Sequence, residues 1–213
     1  MLTSVVTAAR SQRGFSLIEL MVVVVLVGVL IALGVPGIAN WAGDARLRSV
    51  AESFTNGLRL AQATAVARSH VTAFSITNAE PAYNAAPASG GTNWMVLLDP
   101  LSSSETMDSS YLIQSSTEAR RQNVTVSSND TLVCFNSLGQ QTVNQTTTQP
   151  SSLPANTCAT PGGSTGVDTA PTTFTLSRAN SSRRYKVLVY PGGRVRMCDA
   201  AKTLSTSSPD GCP

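Results

Sequence analysis

Two places in the chain set side chains where they could do chemistry. At the first, Arg10 and Arg13 lead into Gly14-Phe15-Ser16-Leu17-Ile18-Glu19-Leu20, and an apolar run continues through Met21–Val35. About twenty residues lie between Phe15 and Pro36, enough to cross ~30 Å of hydrocarbon as a helix. A carboxylate inside such a run costs ~2.5–3.5 kcal/mol on insertion, so Glu19 needs a neutralising partner. At the second place, Gly193-Arg194-Val195-Arg196-Met197-Cys198 reads as a strand. Alternation puts Arg194 and Arg196 together on the solvent side, with Val195 and Met197 toward a core. With Arg183, Arg184 and Lys186 nearby, that pair reads either as a phosphate clamp or as charge that blunts a sheet edge.

Other chemistry is poorly supplied. There is no G-x-S-x-G elbow, Walker loop, H-E-x-x-H or paired-carboxylate arrangement, and Gly90-Gly91, Gly162-Gly163 and Gly192-Gly193 read as turns. The single histidine, His70, stands far from the four cysteines, so neither a metal nor another cofactor is expected, and an enzyme is not expected either. Cys134, Cys158, Cys198 and Cys212 form no C-x-x-C pair. An even count in an exported chain reads as two disulfides with three connectivities, of which the sequence-local one, Cys134–Cys158 with Cys198–Cys212, is expected. The formal charge is +3; without Arg10 and Arg13 it falls close to neutral. The positive charge gathers beyond Pro171, where Arg178, Arg183, Arg184, Lys186, Arg194, Arg196 and Lys202 face only Asp199 and Asp210. A local basic surface of that kind suits a polyanion.

One helix must carry the first site. Its apolar half reads either as a membrane segment or as a secretory signal peptide, but a signal core has only about 7–15 residues and no acid. Gly28, Gly34 and Pro36-Gly37 weaken it, since glycine costs ~1 kcal/mol in a helix and proline removes a hydrogen bond. From Ile38 to Ser69 the run becomes amphipathic. Ile38, Trp41, Ala45, Leu47, Val50, Phe54, Leu58, Ala61 and Ala65 lay an apolar stripe along one face. The spacing therefore predicts one helix over Phe15–Ser69.

Short strands must carry the second. Alternation and β-branched content predict them at His70–Thr77, Trp94–Leu98, Tyr111–Gln114, Asn123–Val126, Leu132–Phe135, Gln140–Val143, Thr172–Leu176, Tyr185–Tyr190 and Arg194–Cys198. Asp99-Pro100 stops the second of these. Residues Asn144–Ala170 hold almost no large apolar side chain and read as a surface loop tied by Cys134–Cys158. Asp199–Pro213 reads as a polar tail pinned by Cys212. The expected fold class is α+β, a long N-terminal helix packed on an antiparallel β-sheet domain.

Gly14-Phe15-Ser16-Leu17-Ile18-Glu19-Leu20 with its apolar run resembles the cleavage motif of type IV prepilins and type II secretion pseudopilins. The resemblance implies that a prepilin peptidase cuts after Gly14 and that Phe15 becomes the methylated first residue. It implies that Glu19 pairs with the terminal amine of a neighbouring subunit during assembly, and that Gly28 and Pro36 bound a segment that loses helicity in the filament. The division it implies is a leader over 1–14, a transmembrane and filament-core helix over 15–38, and a head over 39–213. The head comprises a helix to 69 and a sheet domain over 70–213. Gly193-Arg194-Val195-Arg196 is similar to a C-terminal element of the minor pilins that includes FimU-like and FimT-like members and pseudopilin H. That family implies an inner-membrane protein with a periplasmic head, which later joins an extracellular pilus near its tip and primes or connects assembly. Its partners are other pilins, the peptidase and the membrane. The alternatives are a FimT-like pilin that binds DNA for uptake and a secretion pseudopilin H.

Overall fold

The computed structural model describes residues 14–101, 105–142, 158, 170–179 and 181–213, with backbone alone at 33–40. The leader up to Arg13 and most of the loop expected over Asn144–Ala170 lie outside the described residues. The chain divides into two compact units, Met1–Trp41 and Ala42–Pro213. Helix α1 spans Leu17–Arg68, continuing through Gly28; Pro36 falls where only backbone is described. Its end is local chemistry. Ser69 takes a φ of 49°, while His70 N–H donates to Ala65 O and Ser69 N–H to Val66 O. This is the left-handed cap in which glycine is the usual residue.

In the second unit α1 buries one stripe, Leu47, Val50, Ala51, Phe54, Leu58, Ala61 and Ala65, each at 0 % exposure. The stripe starts later than its spacing suggests: Trp41 and Ala45 are exposed. Two five-stranded sheets receive it, where a single sheet domain was expected. The first comprises β1 (Thr72–Thr77), β2 (Asn93–Leu98), β3 (Leu112–Ser116), β5 (Leu132–Phe135) and β6 (Gln141–Thr142), in the order β3-β2-β1-β5-β6. The second comprises β4 (Val124–Ser128), β7 (Thr172–Arg178), β8 (Arg184–Val189), β9 (Val195–Thr203) and β10 (Gly211–Cys212), in the order β10-β9-β8-β7-β4. All pairs are antiparallel except β9 with β10. A short helix α2, Glu118–Arg121, links β3 to β4.

Aromatic rings join the layers. Phe54 of α1 meets Phe74 of the first sheet at 6.0 Å and Phe174 of the second at 6.1 Å, and Phe74 lies 5.8 Å from Phe174. Trp94 stacks on Phe74 at 5.6 Å. Gly57 lets the helix come this close, because a Cβ there would stand 2.9 Å from both Phe74 and Trp94. Two reverse turns, at 136–140 and 190–194, also interlock. Gly193, at φ 85°, has Gly139 O where its Cβ would be (1.9 Å), and Gln62 Nε2 donates to that same oxygen at 2.8 Å.

The outer face of the first sheet has its own small core of Ala73, Ala85, Met95, Leu97 and Leu132 around the Cys134–Cys158 disulfide. Cys198 is joined to Cys212. Asp99, which with Pro100 stops β2 as expected, is fully buried beside the first bridge. One of its oxygens accepts from Cys158 N–H at 2.6 Å, and the other, Oδ2, has no hydrogen-bond partner among the described residues. Burial pushes its carboxyl up to about 7, against the opposing pull of the Cys158 hydrogen bond. A raised folded-state pKa gives stability that is full below the unfolded value of 3.8 and lost as pH rises through 7. Asp99→Asn, which keeps an acceptor for Cys158, is therefore expected to remove a loss of up to roughly 4 kcal/mol between about pH 4 and pH 8. Denaturant unfolding of both proteins with disulfides intact, compared across that range, checks this.

Candidate functional site

The N-terminal site is built on the first turns of α1. Leu20 N–H donates to Ser16 O at 3.2 Å, closing a turn immediately after Gly14 and Phe15. Gly14 is exposed, with nothing within 4 Å of where a Cβ would stand, and Phe15 is 84 % exposed. Glu19 lies in the first turn, where the helix dipole favours an anion. Neighbours on its face, one turn either way, are Phe15, Val22 and Val23, all exposed. Among the described residues Glu19 makes no ion pair.

Every large apolar side chain from Phe15 to Ile31 is exposed in the isolated chain. A helix that is apolar all round belongs inside something, either lipid or a bundle of other helices. Among the described residues no helix is long and apolar enough to cross a membrane, although the sequence is expected to supply a transmembrane helix over 15–38.

The basic residues sort differently from expectation. In the register of β8 and β9, Lys186 lies opposite Cys198 and Leu188 opposite Arg196, while Tyr185, Val187, Val189 and Val195 face the core. Arg184, Lys186 and Arg196 therefore share the outer face with Thr173, Thr175 and Ser177 of β7. Arg194 sits in the turn before β9 and stacks over the Tyr190 ring, 4.3 Å from its centroid. Arg196 is not free in solvent as alternation implied. Its guanidinium donates to Pro209 O at 3.1 Å and Gly211 O at 3.0 Å, fastening the C-terminal strand to the sheet edge.

Arg183 departs furthest. It lies 3.6 Å from Asp44 and 3.6 Å from the buried Asp199. Its pKa is raised first by a hydrogen bond with Tyr185 and then by Coulombic attraction, including that of both acids. Ser181 Oγ donates to the other Asp44 oxygen at 2.6 Å. A turn of the second sheet is thus clamped to the start of the packed part of α1. No local sequence signal marks this cluster, because its members are 137 positions apart. The outward cations that remain are Arg184, Lys186 and Arg194.

Residues 9–35 match the prokaryotic N-terminal methylation motif, and residues 50–193 match the family described as type II transport protein GspH. No curated protein matches the chain. Among solved structures it is similar to the type IV minor pilin FimU of Pseudomonas aeruginosa in two crystal forms. One has 11 % identity over 73 % of this chain and 94 % of that one, with a TM-score of 0.45. The other has 13 % identity over 76 % and 95 %, with a TM-score of 0.47.

Proposed function

The chain belongs to the family described as type II transport protein GspH, and from that premise we propose that it is a minor pilin subunit that primes or connects type IV pilus assembly near the tip. The observation that carries the reading is the apolar helix, exposed on every side from Phe15 to Ile31 and bearing one acid in its first turn, inside the matched methylation motif. A prepilin peptidase hydrolyses the Gly14–Phe15 bond, and a methyl group is placed on the new Phe15 amine. The helix then waits in the inner membrane with the head on the periplasmic side.

Assembly exchanges lipid for the helices of neighbouring subunits. The apolar side chains are satisfied in either place, so the acid decides the geometry. A buried carboxylate without a partner is strongly unfavourable, and pairing it with a neighbour's Phe15 amine fixes one stagger between subunits. Gly28 and Pro36 mark the part of the helix that can lose hydrogen bonds as subunits pack. The same mechanism serves a pseudopilin of type II secretion, the system named in the family description.

One observation favours a second reading, a pilin that binds DNA for uptake. Arg184 and Lys186 share one outward sheet face, with hydroxyl side chains on the adjoining strand, and Arg194 adds a third cation in the turn before β9. Phosphate contacts alone would make such binding indifferent to sequence and steeply salt-dependent. For that reading the mature chain in detergent shifts duplex DNA at low salt, with a log–log salt slope of about −3 or shallower. Neutralising Arg184, Lys186 and Arg194 to glutamine abolishes the shift, and absence of binding by the wild-type chain at low salt removes the reading. For the pilus reading, Glu19→Ala is expected to insert in the membrane normally and to be missing from sheared filaments by immunoblot. Incorporation at the wild-type level contradicts the charge pairing.

A further inference from the structure

Among the described residues the two sheets end on four edge strands, and two of them are blunted. β10 is two residues long and β4 packs beside α2, while β6 is described only as far as Thr142. The fourth, β3, has five residues, Leu112-Ile113-Gln114-Ser115-Ser116, with neither charge nor proline, and among the described residues no strand lies beyond it. An edge of this kind is a template for another strand.

A groove of about 400 Å³ opens between Gln114 of β3 and α1. Trp94 lines it, its Nε1 donating to Ser53 Oγ at 3.3 Å, and Gln114 and Ser116 of β3 stand opposite Val96 and Trp94, while Leu60 and Ile113 pack against the core. The helix side offers Ser49, Glu52 and Asn56, and Glu118 closes one end. Glu118 accepts from the Ser49 hydroxyl at 2.8 Å, and Glu52 holds Arg48 at 2.9 Å in a solvent-exposed pair. Exposed pairs of this type are weak enough to exchange.

An open edge beside a lined groove is the arrangement that recognises extended peptides, with backbone pairing for affinity and a groove for side chains. We propose that β3 receives an extended segment of a neighbouring subunit, which adds a strand to the first sheet and lays a basic side chain in the groove with Glu52 and Glu118. The two carboxylates choose a cationic residue over an acidic one by charge complementarity. Only the source of the segment rests on the filament reading; the binding itself does not.

The test uses the mature full-length chain in detergent micelles with Trp41→Phe, which leaves Trp94 as its one tryptophan. The probe is a short peptide of alternating valine and threonine with a central arginine, beside a control carrying glutamate there. The arginine peptide is expected to change Trp94 emission saturably and to slow amide exchange across Ile113–Ser115. The glutamate peptide does neither, and Glu52→Gln with Glu118→Gln weakens binding about ten-fold. No saturable response to the arginine peptide at millimolar concentration, equal binding of the control, undiminished binding by the double variant, or an emission change without slower β3 exchange overturns the proposal. Loss of filament incorporation plays no part in the readout, so failure here and failure of the pilus reading are separate results.

Discussion

One helix with two kinds of surface sets the terms for the whole chain. Between Phe15 and Ile31 its apolar side chains point in every direction and none is covered. Between Leu47 and Ala65 it has a single stripe, and the chain's own sheets cover it completely. The second problem is solved within the subunit; the first needs other molecules. Burying an aliphatic side chain contributes ~1.5–3 kcal/mol, so more than a dozen of them outweigh the ~2.5–3.5 kcal/mol that Glu19 costs in lipid. The acid therefore does not decide whether the helix is buried. It decides which buried arrangement is acceptable.

The head meets its own constraint by making Phe54 a shared contact of both sheets. Close approach at Gly57 brings the helix backbone near Phe74 and Trp94, while the Gly139–Gly193 contact locks a turn from each sheet together. Polar groups reinforce the join: Gln141 N–H donates to Pro191 O at 3.0 Å, and its side-chain amide to the Thr172 hydroxyl at 2.8 Å. Edge treatment then divides the sheets. Arg196 and the Cys198–Cys212 bridge hold a short strap along β9, whereas among the described residues no strand lies beyond β3.

Features with a period were readable in advance. The three- and four-residue gaps from Leu47 to Ala65 mark the buried stripe, and β5 begins and ends where alternation puts it. The spacing extends the stripe to Trp41 and Ala45, which are exposed, because spacing cannot say where the sheets stop; Arg178 Nη1 already occupies the space beside Gly43. Helix α2 is four residues and β10 only two, too short for any period to register. Arg196 lies on the strand as alternation suggests, but two carbonyls thirteen and fifteen residues away engage it, and Arg194 falls in the turn before the strand, stacked on a ring four residues away. Arg183 and Asp44 are further apart still. Asp99 looked like a stop signal because Asp-Pro breaks strands; its burial follows from a disulfide loop that brings Cys158 over it.

Everything said of Glu19 requires a free positive charge at Phe15 on a neighbouring chain, and that charge exists only after processing. Intact-mass spectrometry of the chain taken from cells that express it is the most direct test. The account predicts a mature protein that begins at Phe15 and is one methyl group heavier than its sequence. A chain that keeps its leader, or one whose first residue lies beyond Pro36, contradicts it.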